Sequence, residues 1–174
     1  VCDGWLNGFR FTFSHQRQSE SQDRIRANRR QDLSGFELDT YAADLRLESQ
    51  SPLGKLIYGA TASWGFTDSW RANYDAAGHF TGNDIQGPVG DGARTRQYDV
   101  YLQDEFALGE RWRVLAGVRY SHQNVDIARV EDPVTGRPFG IEDEWDSVVG
   151  NLRVDVALDP AQHTHLFAGI SQAF

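Results

Sequence analysis

Apolar and polar residues alternate one by one along most of this chain. In the segment Tyr98 to His122, Trp112, Val114, Ala116, Val118 and Tyr120 share one side of an extended chain, and Arg113, Gly117, Arg119 and Ser121 share the other. Leu115 is the one apolar residue on the wet side. A strand sends successive side chains to opposite faces, whereas a helix of 3.6 residues per turn would mix the two sets. With a tight turn at Leu108-Gly109-Glu110, the segment predicts an amphipathic hairpin.

The same pattern recurs along the chain and predicts seven strands: Trp5 to Gln18, Phe36 to Glu48, Lys55 to Trp70, Arg94 to Leu108, Arg111 to Val125, Trp145 to Leu158 and Thr164 to Phe174. Their oily stripes include Phe9, Phe11 and Phe13; Tyr41, Ala43, Leu45 and Leu47; Tyr58, Ala60, Ala62 and Trp64; and Val148, Leu152, Val154 and Val156. The connections alternate in length. Ser51-Pro52-Leu53-Gly54, Leu108-Gly109-Glu110 and Asp159-Pro160-Ala161-Gln162 are short turns rich in Pro, Gly and Asp. Ser19 to Gly35, Arg71 to Ala93 and Asp126 to Glu144 read as long polar loops at the opposite end.

A soluble sandwich or lipocalin-like barrel would bury the oily stripe and has no reason to segregate its loops by length. Outer-membrane barrels do so, with short periplasmic turns and long extracellular loops. Trp5, Trp64, Trp70, Trp112, Trp145 and Tyr120 near strand ends suit the aromatic girdles of such barrels. The expected fold is therefore all-β: an antiparallel up-and-down meander of about seven strands, a fragment of a large transmembrane β-barrel. An odd strand count and a chain that stops at the last strand both point to a piece of a larger barrel, because an open sheet in lipid leaves edge groups unpaired.

Composition fits this reading. Only 40% of the 174 residues are hydrophobic, which is low for a packed core but natural where half of each strand faces water. No apolar run approaches the roughly 18 residues of a membrane helix. A net charge of -8 argues against a nucleic-acid partner. The lone Cys2 can form no internal disulfide, and the absence of Met, even at position 1, together with the lack of a leader pattern, suggests a start inside a larger protein or after processing.

The segments Tyr101-Leu102-Gln103-Asp104-Glu105-Phe106, Leu115-Ala116-Gly117-Val118-Arg119-Tyr120 and Leu166 to Phe174 resemble the barrel of TonB-dependent outer-membrane receptors. In that family a YxQDE strand, a short turn and an LxxGxRY strand form a typical hairpin. The resemblance covers residues 1–174 as part of a barrel of about 22 strands with a plugged lumen. It implies residence in outer-membrane lipid of a Gram-negative-type bacterium and uptake of a scarce small molecule such as a ferric siderophore, haem or cobalamin. Energy would come from the TonB–ExbB–ExbD complex through a region N-terminal to this one. It implies no chemical step and no resident cofactor. A passive porin or adhesin-like barrel and an outer-membrane enzyme are the alternatives; no Ser/His/Asp arrangement supports the latter.

Two loop clusters are candidate ligand contacts. Arg24, Arg26, Arg29 and Arg30 form a basic cluster in or beside the first outer loop, able to steer anionic chelates or to pair with lipopolysaccharide phosphates, or simply a solvated loop. Trp70, Tyr74, His79 and Phe80 offer an aromatic surface for a chelate or porphyrin, with interfacial anchoring and loop packing as the plainer roles. His79 is the candidate for haem contact. Gly82 to Gly92 lacks the ligand spacing of a calcium loop and the Lys of a phosphate loop, and the acidic runs Glu131-Asp132 and Glu142-Asp143-Glu144, which could hold a divalent ion at the outer surface, read as solvated.

Overall fold

The computed structural model describes residues 6–50, 54–86, 89–132, 134–159 and 163–172. Expectations resting on Cys2, Trp5, Ser51 to Leu53, Gly87-Pro88, Pro160 to Gln162 and Ala173-Phe174 lie outside the described residues. Within them the chain forms β1 (Leu6–Ile25), β2 (Gln31–Gln50), β3 (Gly54–Tyr74), β4 (Phe80–Asp84), β5 (Asp91–Leu108), β6 (Trp112–Glu131), β7 (Pro138–Ala157) and β8 (His165–Ser171). One antiparallel sheet runs β1-β2-β3-β5-β6-β7-β8, with β4 off this path and paired to the outer end of β3. The seven expected strands are all present; β4 is the addition.

Register keeps every oily stripe on one face. Phe11 pairs with Leu45, Leu45 with Ala60, Ala60 with Val100, Val100 with Tyr120 and Tyr120 with Val148. A slip by one residue anywhere would send that strand's oily set to the wet side, so face chemistry holds the register.

The oily face is uncovered. Phe9, Phe11 and Phe13 are 73%, 61% and 61% exposed, and Val148 60%, whereas Asp99 and Ser121 on the wet face are 3% and 8% exposed. Ile85, Val114 and Ala157 are the buried hydrophobics among the described residues. A sheet this inside-out is stable only where the surroundings are themselves apolar. The wet face is concave: Arg46 of β2 and Ser171 of β8, five strand spacings apart, line one hollow of about 500 Å³.

Aromatic residues mark the band's edges. At the inner end Leu108 pairs with Trp112; about ten residues along the strands, Tyr98 pairs with His122. At ~3.3 Å per residue and a tilt near 40°, that length gives an apolar band about 25 Å tall. The outer edge is a contact network: His15 stacks on Tyr41 at 4.5 Å, Tyr41 meets Phe66 edge-on at 6.2 Å, and Trp64 meets Tyr98 at 6.2 Å, its indole Nε1 donating to the Tyr98 hydroxyl at 3.3 Å.

Three expectations change. Ser19 to Gly35, Arg71 to Ala93 and Asp126 to Glu144 are mostly strand rather than loop, because β1, β2, β3, β6 and β7 run on past the girdle and close in turns only at 26–30, 75–79 and 132–137. Beyond the lipid both faces are wet, so the oily-wet alternation that reveals a strand disappears while its hydrogen bonds continue. Trp145 pairs with Gln123 on the concave side and is not in the girdle. Trp70 stands six residues above Trp64 on β3, beyond the band rather than at its edge.

These positions set different depths for two valines on the oily face. Val118 lies near the middle of the band, whereas Val154, paired with Val114, sits one step above the Trp112 level. In denaturant titrations of the whole barrel in lipid, Val118→Arg is expected to cost about 2–4 kcal/mol and Val154→Arg about 0–1 kcal/mol. Asn151→Arg, pointing into the concave hollow, is expected to be near neutral. Equal costs at all three sites would contradict the assignment of faces.

Candidate functional site

The concave wall is a mesh of paired charges. Asp99 on β5 directly faces Ser121 on β6, and the diagonal Arg119 donates from Nη2 to Asp99 Oδ2 at 2.7 Å. Gln97 Nε2 donates to both Asp99 oxygens, at 3.2 and 3.1 Å. Asp99's side chain is 2% exposed, so its charge depends on these donors. Further along the wall Arg46 and Lys55 both meet Glu48 at 2.8 Å, Thr61 donates to Asp44 at 3.2 Å, and the Arg153 guanidinium lies 4.9 Å over the Phe167 ring. Gly59 is required here: a Cβ would come within 2.0 Å of the Leu45 carbonyl oxygen and 2.7 Å of the Tyr101 hydroxyl, because the Tyr101 ring lies across it.

The outer rim is built by turn chemistry. Arg29 takes φ 66°, which closes the β1–β2 hairpin, and the Asn28 side chain accepts from the Arg30 backbone N–H at 3.2 Å. Asp75 accepts from the backbone N–H groups of Ala77 and His79 at 2.8 and 2.9 Å, with Gly78 at φ 84°. Those donors, His79's first, hold the Asp75 carboxyl below its ordinary range. Asp132 does the same for Thr135 and Val134, which lowers its carboxyl in turn. The acidic residue expected to be merely solvated is thus a turn former.

The four arginines divide. Arg24 and Arg26 both grip Asp32, with closest approaches of 2.6 and 2.8 Å, and Asp32's side chain is 7% exposed. Hydrogen bonds from Arg24 and then Arg26 hold the Asp32 carboxyl below the usual carboxylate range. Arg29 and Arg30 form no ion pair among the described residues. Arg26, Arg30, Asp32, Asn73, Tyr74, Asp75 and Thr81 line one hollow of about 360 Å³, so part of the basic cluster and part of the aromatic cluster meet, with two carboxylates among them.

The aromatic cluster also divides. Tyr74 and Phe80 pack edge-on at 5.9 Å across the β3–β4 turn, and His79 beside them is 81% exposed with Nδ1 held 3.2 Å from Asp75. Trp70 stays apart, its ring against Gly35, where a Cβ would lie 3.0 Å from Cζ2. Asp32, Asn73, Asp75 and Thr81 at the rim and Asp99 with Arg119 on the wall are absent from the candidate contacts read in the sequence. The last pair was findable: a turn centred on Glu110 pairs Asp99 with Ser121 and so places Arg119 one step diagonal.

The chain matches the family described as TonB dependent receptor-like, beta-barrel, over residues 3–174. It therefore belongs to that family and is a protein of the Gram-negative outer membrane. Among solved structures it is similar to the copper transporter OprC, with a TM-score of 0.75 and 18% identity over 95% of this chain; the match spans 28% of that protein's chain. No curated protein matches.

Two outcomes check this wiring. Arg119→Met strands the Asp99 carboxylate in a buried position and is expected to cost about 3–5 kcal/mol in the unfolding of the whole barrel; a loss under 1 kcal/mol would contradict the pairing. At the rim, Asp32's lowered pKa stabilises the hairpin above about pH 4, its unfolded value, and that support fades as pH falls through the lower folded value. Amide exchange across residues 24–32, corrected for intrinsic rates, is expected to stay flat from pH 7 to 5 and to rise only in stronger acid.

Proposed function

We propose that residues 1–174 are one part of the barrel domain of a TonB-dependent transporter whose plug and remaining strands lie elsewhere in the protein. The open edges of β1 and β8 support this, since unpaired backbone groups in lipid cost several kcal/mol each and further strands would satisfy them. The cargo is an anionic metal chelate of the siderophore class, energised by the TonB–ExbB–ExbD complex, and the protein carries out no reaction on it. The observation that carries this reading is the rim hollow, where Arg30 and Tyr74 present a cationic and an aromatic group together on the outer side, beside the Arg26–Asp32 pair.

Arg29 and Arg30 provide the unspent charge that steers an anion toward the hollow. Tyr74 and Phe80 supply an apolar platform, and His79, oriented through Asp75, offers its other nitrogen to the chelate. Arg24 serves by fixing Asp32, and Trp70 by fixing the hairpin's outer face. A bare metal ion is the second reading, carried by the copper cargo in the name of the OprC neighbour.

Uptake by cells carrying the whole protein tests this. Labelled anionic ferric siderophore is expected to enter only when TonB is functional, with entry slowed several-fold in Arg29→Gln/Arg30→Gln at low substrate and competed by excess unlabelled chelate. Entry independent of TonB would favour a passive pore; competition by copper salt alone, with an unchanged rate in the double variant, would favour the bare ion.

A further inference from the structure

The height of the outer strands separates two kinds of basic residue. The β1–β2 tip stands about ten residues above Tyr41, which at the same tilt is about 25 Å above the girdle. That removes Arg24 to Arg30 from the level of lipid headgroups. At the girdle's outer edge, in register with Trp64 and Phe66 and on the oily face's own side, β5 carries Arg94 and Arg96.

Arg96 pairs with Trp64 on β3 and Asn124 on β6, two residues above Tyr98; Arg94 pairs with Phe66 and Asp126. Both arginines are exposed, and neither forms an ion pair among the described residues, Asp126 included. Arg17, the other outward guanidinium at this level, is spent on Glu37 and Asp39. Two strands away, Glu142, Glu144 and Asp146 on β7 make the same level acidic, so an anion is confined to the β5 strip.

We infer that Arg94 and Arg96 form a docking site for the phosphates of an outer-leaflet glycolipid whose acyl chains lie on the band below, over Val100 and Leu102. The surroundings of the two arginines define the occupant's chemistry. The site is continuous with an apolar surface that needs acyl chains, Val100 and Leu102 being 54% and 46% exposed. Two guanidiniums on one face of a strand, about 6.6 Å apart along it, can each fork onto phosphate oxygens. Trp64 and Phe66 beside them give their aliphatic stems an apolar bed.

The test uses the whole protein in vesicles of otherwise neutral lipid, containing either a bisphosphorylated lipid A-type glycolipid or its dephosphorylated form. The bisphosphorylated lipid is expected to raise the melting temperature of the wild type over the dephosphorylated one, and inorganic phosphate at equal concentration to have no effect. Arg94→Gln/Arg96→Gln is expected to abolish the difference, and Arg29→Gln/Arg30→Gln to keep it. Should the first variant fail to insert, Arg94→Lys/Arg96→Lys keeps the charge without the fork and is expected to lose part of the shift. No shift in the wild type, an undiminished shift in either Arg94/Arg96 variant, loss only in the rim variant, or an equal effect of inorganic phosphate would each overturn the assignment.

Discussion

Backbone hydrogen bonding in a medium without water is the constraint on which the rest of this structure depends. Within the lipid band each N–H and C=O must find a partner on a neighbouring strand, because an orphan there costs several kcal/mol. Long antiparallel ladders meet that demand, and six of them run in nearly unbroken register from β1 to β8. With the ladders fixed, the side chains have only two directions left. Oily residues take the lipid side and charged ones the concave side, where they neutralise one another as Asp99 and Arg119 do.

The same constraint explains why the sheet does not stop at the membrane surface. Ladders that are compulsory in lipid remain favourable in water, so the strands continue outward as hairpins and end only where Asn28, Asp75 and Asp132 turn the backbone with their side chains. The outer surface thus becomes a set of stiff hairpins presenting a small basic and aromatic hollow. At the inner end Gly109, at φ 70°, closes the β5–β6 turn directly below the band.

The oily-wet alternation makes the membrane-spanning part of the strands legible in the sequence: Phe9 to Phe13, Tyr58 to Trp64 and Trp112 to Tyr120 are unambiguous because lipid and lumen differ in polarity. The signal ends where that difference ends. Ser19 to Ile25 and Gln31 to Gly35 carry no oily stripe, so their strands were indistinguishable from loop. Trp145 shows the companion limit: an aromatic at a strand end suits a girdle by type, and only its register with Gln123 puts it on the concave side. Of the rim residues, the arginine cluster was visible as composition, but its division into a locked pair on Asp32 and a free pair at Arg29 and Arg30 depends on a turn whose left-handed residue is an arginine rather than a glycine.

The exposed oily face meets lipid and the concave face meets water. Spin labels placed singly along β5 and β6 of the whole protein in a Cys2→Ser background, in bilayers, test it most directly through their relaxation by oxygen and by a water-soluble nickel chelate. Labels at Val100, Leu102, Val118 and Tyr120 are expected to respond to oxygen, and labels at Gln103 and Leu115 to the aqueous chelate. A loss of this period-two contrast, or its inversion, would contradict the account.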